Sequence, residues 1–330
     1  MIRFGIIGTN WITESFLQAA REVDGFALTA VYSRTEERAR EFADKHGAAH
    51  AYTDVEEMAS GGRIDAVYIA SPNSFHAAHA LACMKHGVHV LCEKPIASNA
   101  AELRRMIEAA RERGVVLMEA MKSTLLPNFG AVRDHLPELG KVRRYVAGYC
   151  QYSSRYDAYK QGTVLNAFNP IFSNGALMDL GVYCIYPLVV LFGKPERIRA
   201  NAILLDSGVD GEGSLLLGYP DMDAVIHYSK IADSSLPSEI QGERGTMTIA
   251  KISQMESVRI RYRDGSVADL TREQAANTMV YEINEFIRLI RRGDAESSVN
   301  SHAHSLWTME VADEARRQIG LVYPADAAQS

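Results

Sequence analysis

The 330-residue sequence has few cysteines: Cys83, Cys92, Cys150 and Cys184 form no Cys-x-x-Cys pair and show no regular spacing. This pattern is typical of buried, reduced thiols and argues against a disulfide framework, so the expected compartment is the cytoplasm. The first residues run directly into a strand pattern, and no cleavable leader is expected. The sequence also predicts no membrane span, since no stretch approaches the ~20 apolar residues that one needs.

An excess of positive charge is also missing, because 35 Lys and Arg are set against 41 Asp and Glu, a net charge of −6. The basic clusters at 141–144 and 288–292 are interrupted by apolar residues, which is typical of solvated faces. Nucleic acids and anionic membranes attract clustered positive charge, so neither is an expected partner. The ten histidines show no metal-ligand spacing, and no metal site is expected. Hydrolase and phosphoryl-transfer motifs (Gly-x-Ser-x-Gly, P-loop) are absent as well.

Up to about residue 125, short apolar runs alternate with amphipathic segments. That alternation predicts parallel βαβ units. Predicted strands are Arg3–Ile7, Leu28–Tyr32, Ala66–Ala70, Val88–Cys92 and Val115–Met118, and predicted helices are Trp11–Ala20, Thr35–His46, His76–His86 and Ala100–Arg113. Three of these helices end at a glycine just before an apolar run, which is a typical helix stop. The sequence therefore predicts an α/β Rossmann domain with a doubly wound parallel sheet over residues 1–125.

The pattern changes after Pro127 and predicts an α+β domain over residues 126–330, with a large, mostly antiparallel sheet. Residues 153–175 read as a long polar loop, and loops of that length are usually functional or disordered. Predicted strands are Arg143–Tyr152, Arg199–Leu205, Ser214–Tyr219, Ala224–Ser229, Gly245–Ala250 and Val258–Tyr262, and predicted helices are Leu177–Leu191, Met279–Arg292 and Ser301–Ile319. Packing of the C-terminal helix against the first domain is an alternative that the sequence leaves open. An open sheet face implies a homodimer or a higher homo-oligomer.

The segment after the first strand, Gly8-Thr9-Asn10-Trp11-Ile12-Thr13, resembles part of the dinucleotide fingerprint G-x-G-x-x-G/A. In that fingerprint the first glycine makes a tight strand-to-helix turn, and the helix N-terminus faces the pyrophosphate. Asn10 stands in place of the second glycine, and we expect it to keep the turn because asparagine tolerates a left-handed backbone. An ordinary βα turn is the alternative interpretation. The position between a strand and a helix at the chain start favours a dinucleotide site made by Gly8, Thr9, Asn10, Trp11 and Ile12.

The second predicted strand ends at Tyr32-Ser33-Arg34-Thr35, without the acidic residue that would bond the 2′-hydroxyl of NAD. A hydroxyl and a guanidinium are natural ligands of a 2′-phosphate. Ser33 and Arg34 therefore favour NADP over NAD, although NAD stays possible. A solvated arginine at a helix start is the alternative.

Two further motifs carry a family resemblance. Ser71-Pro72-Asn73-Ser74-Phe75-His76 is followed by Gly87-Val88-His89-Val90-Leu91-Cys92-Glu93-Lys94-Pro95, and the second half contains Gly175-Ala176-Leu177-Met178-Asp179-Leu180-Gly181-Val182-Tyr183. With the opening turn, these motifs resemble the glucose–fructose oxidoreductase/inositol dehydrogenase (Gfo/Idh/MocA) family over nearly the whole chain. Within that family, the sequence around these motifs most resembles the dimeric dihydrodiol dehydrogenase branch, which also acts as an NADP-linked aldose dehydrogenase.

The resemblance implies an NAD(P)-dependent oxidoreductase that transfers hydride between nicotinamide and a hydroxyl or carbonyl carbon of a sugar, cyclic polyol or dihydrodiol. It places Ser71, Pro72, Asn73, His76, Glu93 and Lys94 along the cofactor, and it implies a cis Lys94–Pro95 bond. For His76, an ordinary residue at a helix N-terminus is the alternative.

Three residues, Lys94, Asp179 and Tyr183, are the candidate catalytic set. Ligands of a doubly wound fold bind at the carboxyl ends of its strands, where Lys94 can stabilise a developing alkoxide. Asp179 and Tyr183 are four residues apart and would share one helix face. Tyrosine is a poor base at neutral pH unless a nearby cation, here Lys94, favours its phenolate. The hypothesis is that Tyr183 exchanges the hydroxyl proton, Lys94 polarises the hydroxyl, and Asp179 holds the pair.

Candidate substrate contacts come from the long loop: Arg155, Tyr156, Asn169 and Asn174, the last in place of a glycine that the family usually has. Aromatic and amide groups suit a polyol, although the polarity of a surface loop explains them equally well. Two alternative functions stay open: a glycosidase of the same fold with tightly bound NAD, and a non-catalytic, dinucleotide-sensing regulator. A complete set of Lys94, Asp179 and Tyr183 argues against the regulator. The exact substrate, the direction of reaction, the subunit number and cofactor release between turnovers also stay open.

Overall fold

The computed structural model describes residues 1–327, which fall into two compact units. Residues 1–120 and 275–305 form the first unit, and residues 121–274 with the C-terminal segment from residue 306 form the second. The expected domain boundary at residues 125 and 126 lies close to the first junction, while residues 275–305 group with the N-terminal unit.

The first unit is built on a six-stranded parallel sheet with strand order β3-β2-β1-β4-β5-β6. Its strands are β1 (Ile2–Ile7), β2 (Phe26–Tyr32), β3 (His50–Tyr52), β4 (Ala66–Ile69), β5 (His89–Glu93) and β6 (Leu117–Ala120). The helices between them are α1 (Trp11–Ala20), α2 (Glu36–His46), α3 (Val55–Ser60), α4 (His76–Lys85) and α5 (Ala100–Arg113). The strands read as continuous apolar runs because helices cover both faces of such a sheet. This sheet is the predicted doubly wound Rossmann sheet.

The second unit contains an eight-stranded sheet with order β14-β13-β12-β11-β7-β10-β9-β8. Its strands are β7 (Val142–Cys150), β8 (Arg197–Leu204), β9 (Asp210–Gly218), β10 (Asp223–Ser229), β11 (Ser238–Gly242), β12 (Gly245–Ala250), β13 (Ser257–Tyr262) and β14 (Val267–Asp269). Its helices are α6 (Pro127–His135), α7 (Tyr156–Lys160) and α8 (Val182–Phe192). The chain continues with α9 (Met279–Arg292) in the first unit, then α10 (His302–Ile319) and α11 (Pro324–Ala327).

Burial alternates along β10, β12 and β13, so one face of this sheet is packed and the other is open. The mostly antiparallel sheet is confirmed, with one exception that the sequence did not indicate: β10 runs parallel to β7. Strand direction follows from the path of the whole chain, and a period-two pattern is the same for either direction.

Several short elements were not predicted. The strands β3, β11 and β14 and the helices α3 and α6 are missing from the predicted set, and α7 lies inside the expected loop 153–175. These elements are three to nine residues long. Segments of that length contain too few turns or alternations to show a clear period.

The expectation that no stretch approaches a membrane span in length was wrong for Pro170–Phe192. These 23 residues are long and apolar enough to cross a membrane. However, 72% of the most apolar window is buried inside the structure, and buried core helices of soluble proteins pass the same test. The apolar character of this stretch is accounted for by packing within the second unit, where Cys184, Ile185 and Leu188 are fully buried.

Candidate functional site

The turn between β1 and α1 needs the glycine at its first position. Gly8 has a φ of +106°, and a Cβ atom there would lie 2.6 Å from the carbonyl oxygen of Ala70. Both the backbone angle and the space therefore exclude a side chain. The tight turn expected of a dinucleotide site is present, and it brings the start of α1 to the carboxyl end of the parallel sheet.

Asn10 preserves this turn in a different way from the one expected. Its φ of −107° is not left-handed, so the prediction of a left-handed backbone was wrong. The side chain instead caps α1: Oδ1 accepts the amides of Ile12 (3.1 Å) and Thr13 (3.3 Å), and Nδ2 donates to Ala70 O (2.8 Å). Asparagine is among the best N-cap residues because its short side chain satisfies these otherwise unpaired amides. Thr13 is buried and donates its hydroxyl to Gly8 O at 2.9 Å.

The hydroxyls of Thr9 and Ser33 lie 3.5 Å apart, which joins the glycine turn to the end of β2. Arg34 is exposed next to them. Sequence reasoning missed a second guanidinium: Arg38 donates to Thr9 O (3.0 Å) and to Thr9 Oγ1 (3.3 Å). Its position one helical turn after Thr35, the N-cap of α2, was the available signal.

His76 bridges two loops of the first unit. It is buried, and its Nδ1 and Nε2 lie 2.9 Å from Pro95 O and 2.8 Å from Ser71 O. Burial lowers the pKa of this imidazole; the two carbonyl acceptors oppose the shift, since a neutral ring can donate from only one nitrogen. Pro72 and Asn73 are half-buried beside it, where a 3₁₀ turn begins. His76 thus connects the Ser71–Asn73 segment to the loop that carries Lys94.

The expected cis Lys94–Pro95 bond is confirmed, and Lys94 is half-buried directly after β5. Two buried carboxyl groups hold the backbone on either side of this bond. Glu93 accepts the Lys94 amide (3.3 Å) and the hydroxyl of Tyr68 (2.5 Å). Glu119, which was not predicted, accepts the Ile96 amide at 3.1 Å. Burial raises the pKa of Glu119 to about 7, so this support titrates near neutral pH.

In the second unit, Asp179 and Tyr183 do not share one continuous α-helix, as Leu177–Leu191 had been predicted to be. Leu177–Gly181 forms a π-helical turn, and α8 begins only at Val182. Such turns are rare and occur often at functional sites.

Asp210, also unpredicted, anchors the start of this π-helical turn. Its Oδ2 accepts the Leu177 amide at 2.7 Å. A Cβ atom on Gly175, whose φ is +147°, would lie 2.0 Å from Asp210 Oδ1. Burial raises the pKa of Asp210 to about 6.

Asp179 is paired within its own unit. Its Oδ2 lies 2.8 Å from Nζ of Lys230, a lysine whose side chain is only 3% exposed. Tyr183 is half-buried and packs edge-on against Tyr149, with 5.5 Å between the ring centroids. The contact with Lys230 was not predicted, because a lysine directly after a strand reads as a surface residue.

The four candidate substrate contacts lie in the segment 153–175 of the second unit. Arg155 is exposed before α7, and Tyr156 stacks on Tyr159 with 5.9 Å between ring centroids. The side-chain oxygen of Asn169 accepts a hydrogen bond from the Ile171 amide (3.0 Å), and that of Asn174 accepts one from the Gly175 amide (3.0 Å). The structure therefore gives the two asparagines a role in shaping this loop.

Comparison with known proteins agrees with these features. Residues 2–121 match a family described as an oxidoreductase family with an NAD-binding Rossmann fold, and residues 137–248 match the GFO/IDH/MocA C-terminal domain. The chain is 57% identical over 328 residues to scyllo-inositol 2-dehydrogenase (NADP(+)) IolU of Bacillus subtilis (99% of this chain, 100% of that protein). It is 32% identical over 338 residues to mouse trans-1,2-dihydrobenzene-1,2-diol dehydrogenase (98% and 99%). A 3-ketoreductase from Actinomadura kijaniata, solved with TDP-benzene and NADP, has the same fold (TM-score 0.81, 23% identity, 96% and 98% covered).

Proposed function

Because this chain belongs to the Gfo/Idh/MocA family of oxidoreductases, we propose that it oxidises a ring hydroxyl of an inositol-type cyclic polyol, with scyllo-inositol as the first candidate. It is an NAD(P)-dependent dehydrogenase acting on CH–OH groups, and its cofactor is NADP. The observation that carries the substrate proposal is the 57% identity, over 99% of the chain, to a protein named for that reaction. The residues alone left sugars, cyclic polyols and dihydrodiols open.

The first unit fits NADP, and we assign dinucleotide binding to it. The Gly8 turn leaves no space for a side chain and opens onto the start of α1, which suits a pyrophosphate. Since Asn10 already bonds the amides of Ile12 and Thr13, the pyrophosphate is proposed to meet the backbone around Thr9–Trp11. The hydroxyl of Ser33 and the guanidinium groups of Arg34 and Arg38 are the proposed ligands of the 2′-phosphate. The nicotinamide supplies the hydride acceptor.

In the proposed chemistry, Lys94 donates a hydrogen bond to the reacting hydroxyl and stabilises the developing alkoxide. In its phenolate form Tyr183 takes the hydroxyl proton and becomes the neutral phenol, and the carboxylate of Asp179 orients the groups around it. Ser71, Pro72 and Asn73 are proposed to line the nicotinamide end of the cofactor. His76 and Glu93 act there as positioning residues, because each holds the backbone that carries Lys94.

The second unit is proposed to bind the polyol. Arg155 and Tyr156 are proposed as direct contacts. Asn169 and Asn174 are proposed to bind through their side-chain NH₂ groups, since their oxygens already accept backbone amides.

The family consists of soluble enzymes, and we place this one in the cytoplasm as a homodimer or a tetramer made of dimers. The proposed interface is the open face of the second sheet, near which Ile203 and Leu216 are 53% and 51% exposed. Apolar side chains of that exposure are what a partner subunit would cover. Light scattering coupled to size-exclusion chromatography tests this proposal, and a monomer at micromolar concentration would refute it.

The substrate proposal is tested by following formation of the reduced cofactor (NADPH from NADP, NADH from NAD) with scyllo-inositol, other inositols, glucose and a dihydrodiol as substrates. We expect the highest kcat/KM for an inositol with NADP. A higher kcat/KM for the aldose or the dihydrodiol would overturn the substrate proposal but would leave the enzyme class unchanged.

A further inference from the structure

Lys230 lies where a lysine is costly. It follows β10, its side chain is 3% exposed, and its Nζ lies 5.4 Å from the centre of the Phe168 ring. A buried ammonium is stable only when its charge and hydrogen-bonding capacity are matched by partners. A methionine would fill a similar volume without that cost.

The partners of Lys230 come from two different segments of the second unit. Nζ is 2.8 Å from Asp179 Oδ2 in the π-helical turn and 3.1 Å from Ala167 O in the segment 153–175. The ammonium thus connects the candidate catalytic carboxylate to the candidate substrate loop through a single atom.

An apolar cluster also holds the segment 153–175 near Lys230. Ala167 and Phe168 are buried with Val209, and Tyr156 and Tyr159 pack against them. A displacement of this cluster would therefore move an acceptor of Lys230 and change the position of its other partner, Asp179.

We propose that Lys230 is a positioning residue for the polyol dehydrogenase reaction: it fixes the orientation of the Asp179 carboxylate and ties it to the loop 153–175. This inference rests on the proposed function and adds a residue to it. Lys230 need not touch the substrate; it determines how Asp179 and the loop meet the hydroxyl groups of the polyol. A displacement on the order of 1 Å can cost ~100-fold in rate, so even a small relaxation of Asp179 is measurable.

The test compares Lys230→Met with wild type, and with Lys194→Met as the matched control. Lys194 forms a 2.6 Å ion pair with Glu310 in the same unit, but its side chain is 45% exposed. In Lys230→Met, kcat/KM for the polyol is expected to fall ~10- to 100-fold while NADPH affinity is kept. Wild-type kinetics in Lys230→Met would overturn the proposal.

A double-mutant cycle shows whether Lys230 acts through Asp179, and it also serves if Lys230→Met alone folds poorly. The charge-free pair Lys230→Met/Asp179→Asn should have the same kcat/KM as Asp179→Asn alone. A further tenfold loss in the double variant would contradict a role through Asp179.

Amide hydrogen exchange separates this inference from the substrate proposal because it needs no turnover. Exchange in residues 153–175 should be faster in Lys230→Met than in wild type and unchanged in Lys194→Met. Unchanged exchange in both variants would refute the tie between Lys230 and the loop, whatever the substrate is. If the wild type turns over no inositol, the substrate proposal fails by itself.

Discussion

Replacing Arg38 by alanine should weaken NADPH binding selectively. Arg38 is held beside the glycine turn by two hydrogen bonds to Thr9, whose hydroxyl lies 3.5 Å from that of Ser33. A guanidinium in that place can contact a 2′-phosphate and has no comparable partner on NADH.

The size of the effect follows from the exposure of Arg38. A charge-assisted hydrogen bond contributes about 1.5–3 kcal/mol when it is well formed. The Arg38 side chain is 46% exposed, so solvent screening reduces this contribution to ~1–2 kcal/mol. The Kd for NADPH should therefore rise ~5- to 30-fold, and that for NADH much less.

The assay is a fluorescence titration with NADPH and NADH at two salt concentrations. Arg40→Ala is the matched control: both arginines form an ion pair on α2, Arg38 with Glu41 and Arg40 with Glu36, while Arg38 is also bonded to Thr9. Equal weakening of both cofactors would show that Arg38 supports the turn rather than the 2′-phosphate. An effect of the same size in Arg40→Ala would show that the loss of affinity reflects only the change in net charge of α2, and it would refute a specific contact between Arg38 and the 2′-phosphate.

Three further predictions concern the turn, pH and the proton. Gly8→Ala should abolish binding of both cofactors in a titration, because its Cβ would lie 2.6 Å from Ala70 O; retained affinity would contradict the turn geometry. Burial raises the pKa of Glu119 to about 7, so the folded state holds this proton more tightly than the unfolded chain. The contribution of this one group to stability should then be up to ~3 kcal/mol smaller at pH 7 than at pH 4.5, so the Tm of wild type should fall relative to that of Glu119→Gln as the pH rises over this range; parallel Tm curves would argue against it. Tyr183→Phe should lower kcat ~100- to 10,000-fold without changing NADPH affinity, and a smaller loss would exclude Tyr183 as the proton acceptor.

Sequence reasoning was most successful where the signal is local. The helices Trp11–Ala20, Ala100–Arg113 and Met279–Arg292 were predicted with their observed bounds, because apolar periodicity and capping residues lie within each segment. It was wrong at Asn10, where the same residue type suits either a left-handed turn or an N-cap. Which of the two forms depends on Ala70 O, and Ala70 directly follows β4, a parallel strand that pairs with β1.

By itself, the sequence determined the two architectures, the dinucleotide turn and the absence of an acid at the end of β2. These features depend on residue types and on neighbours within a few positions. Only the tertiary structure decided that His76 joins two loops, that Arg38 contacts Thr9, and that Lys230 pairs with Asp179. Such contacts join residues from separate elements, and no periodicity marks them. The sequence does not distinguish a buried lysine from an exposed one, because burial depends on the packing of the folded chain.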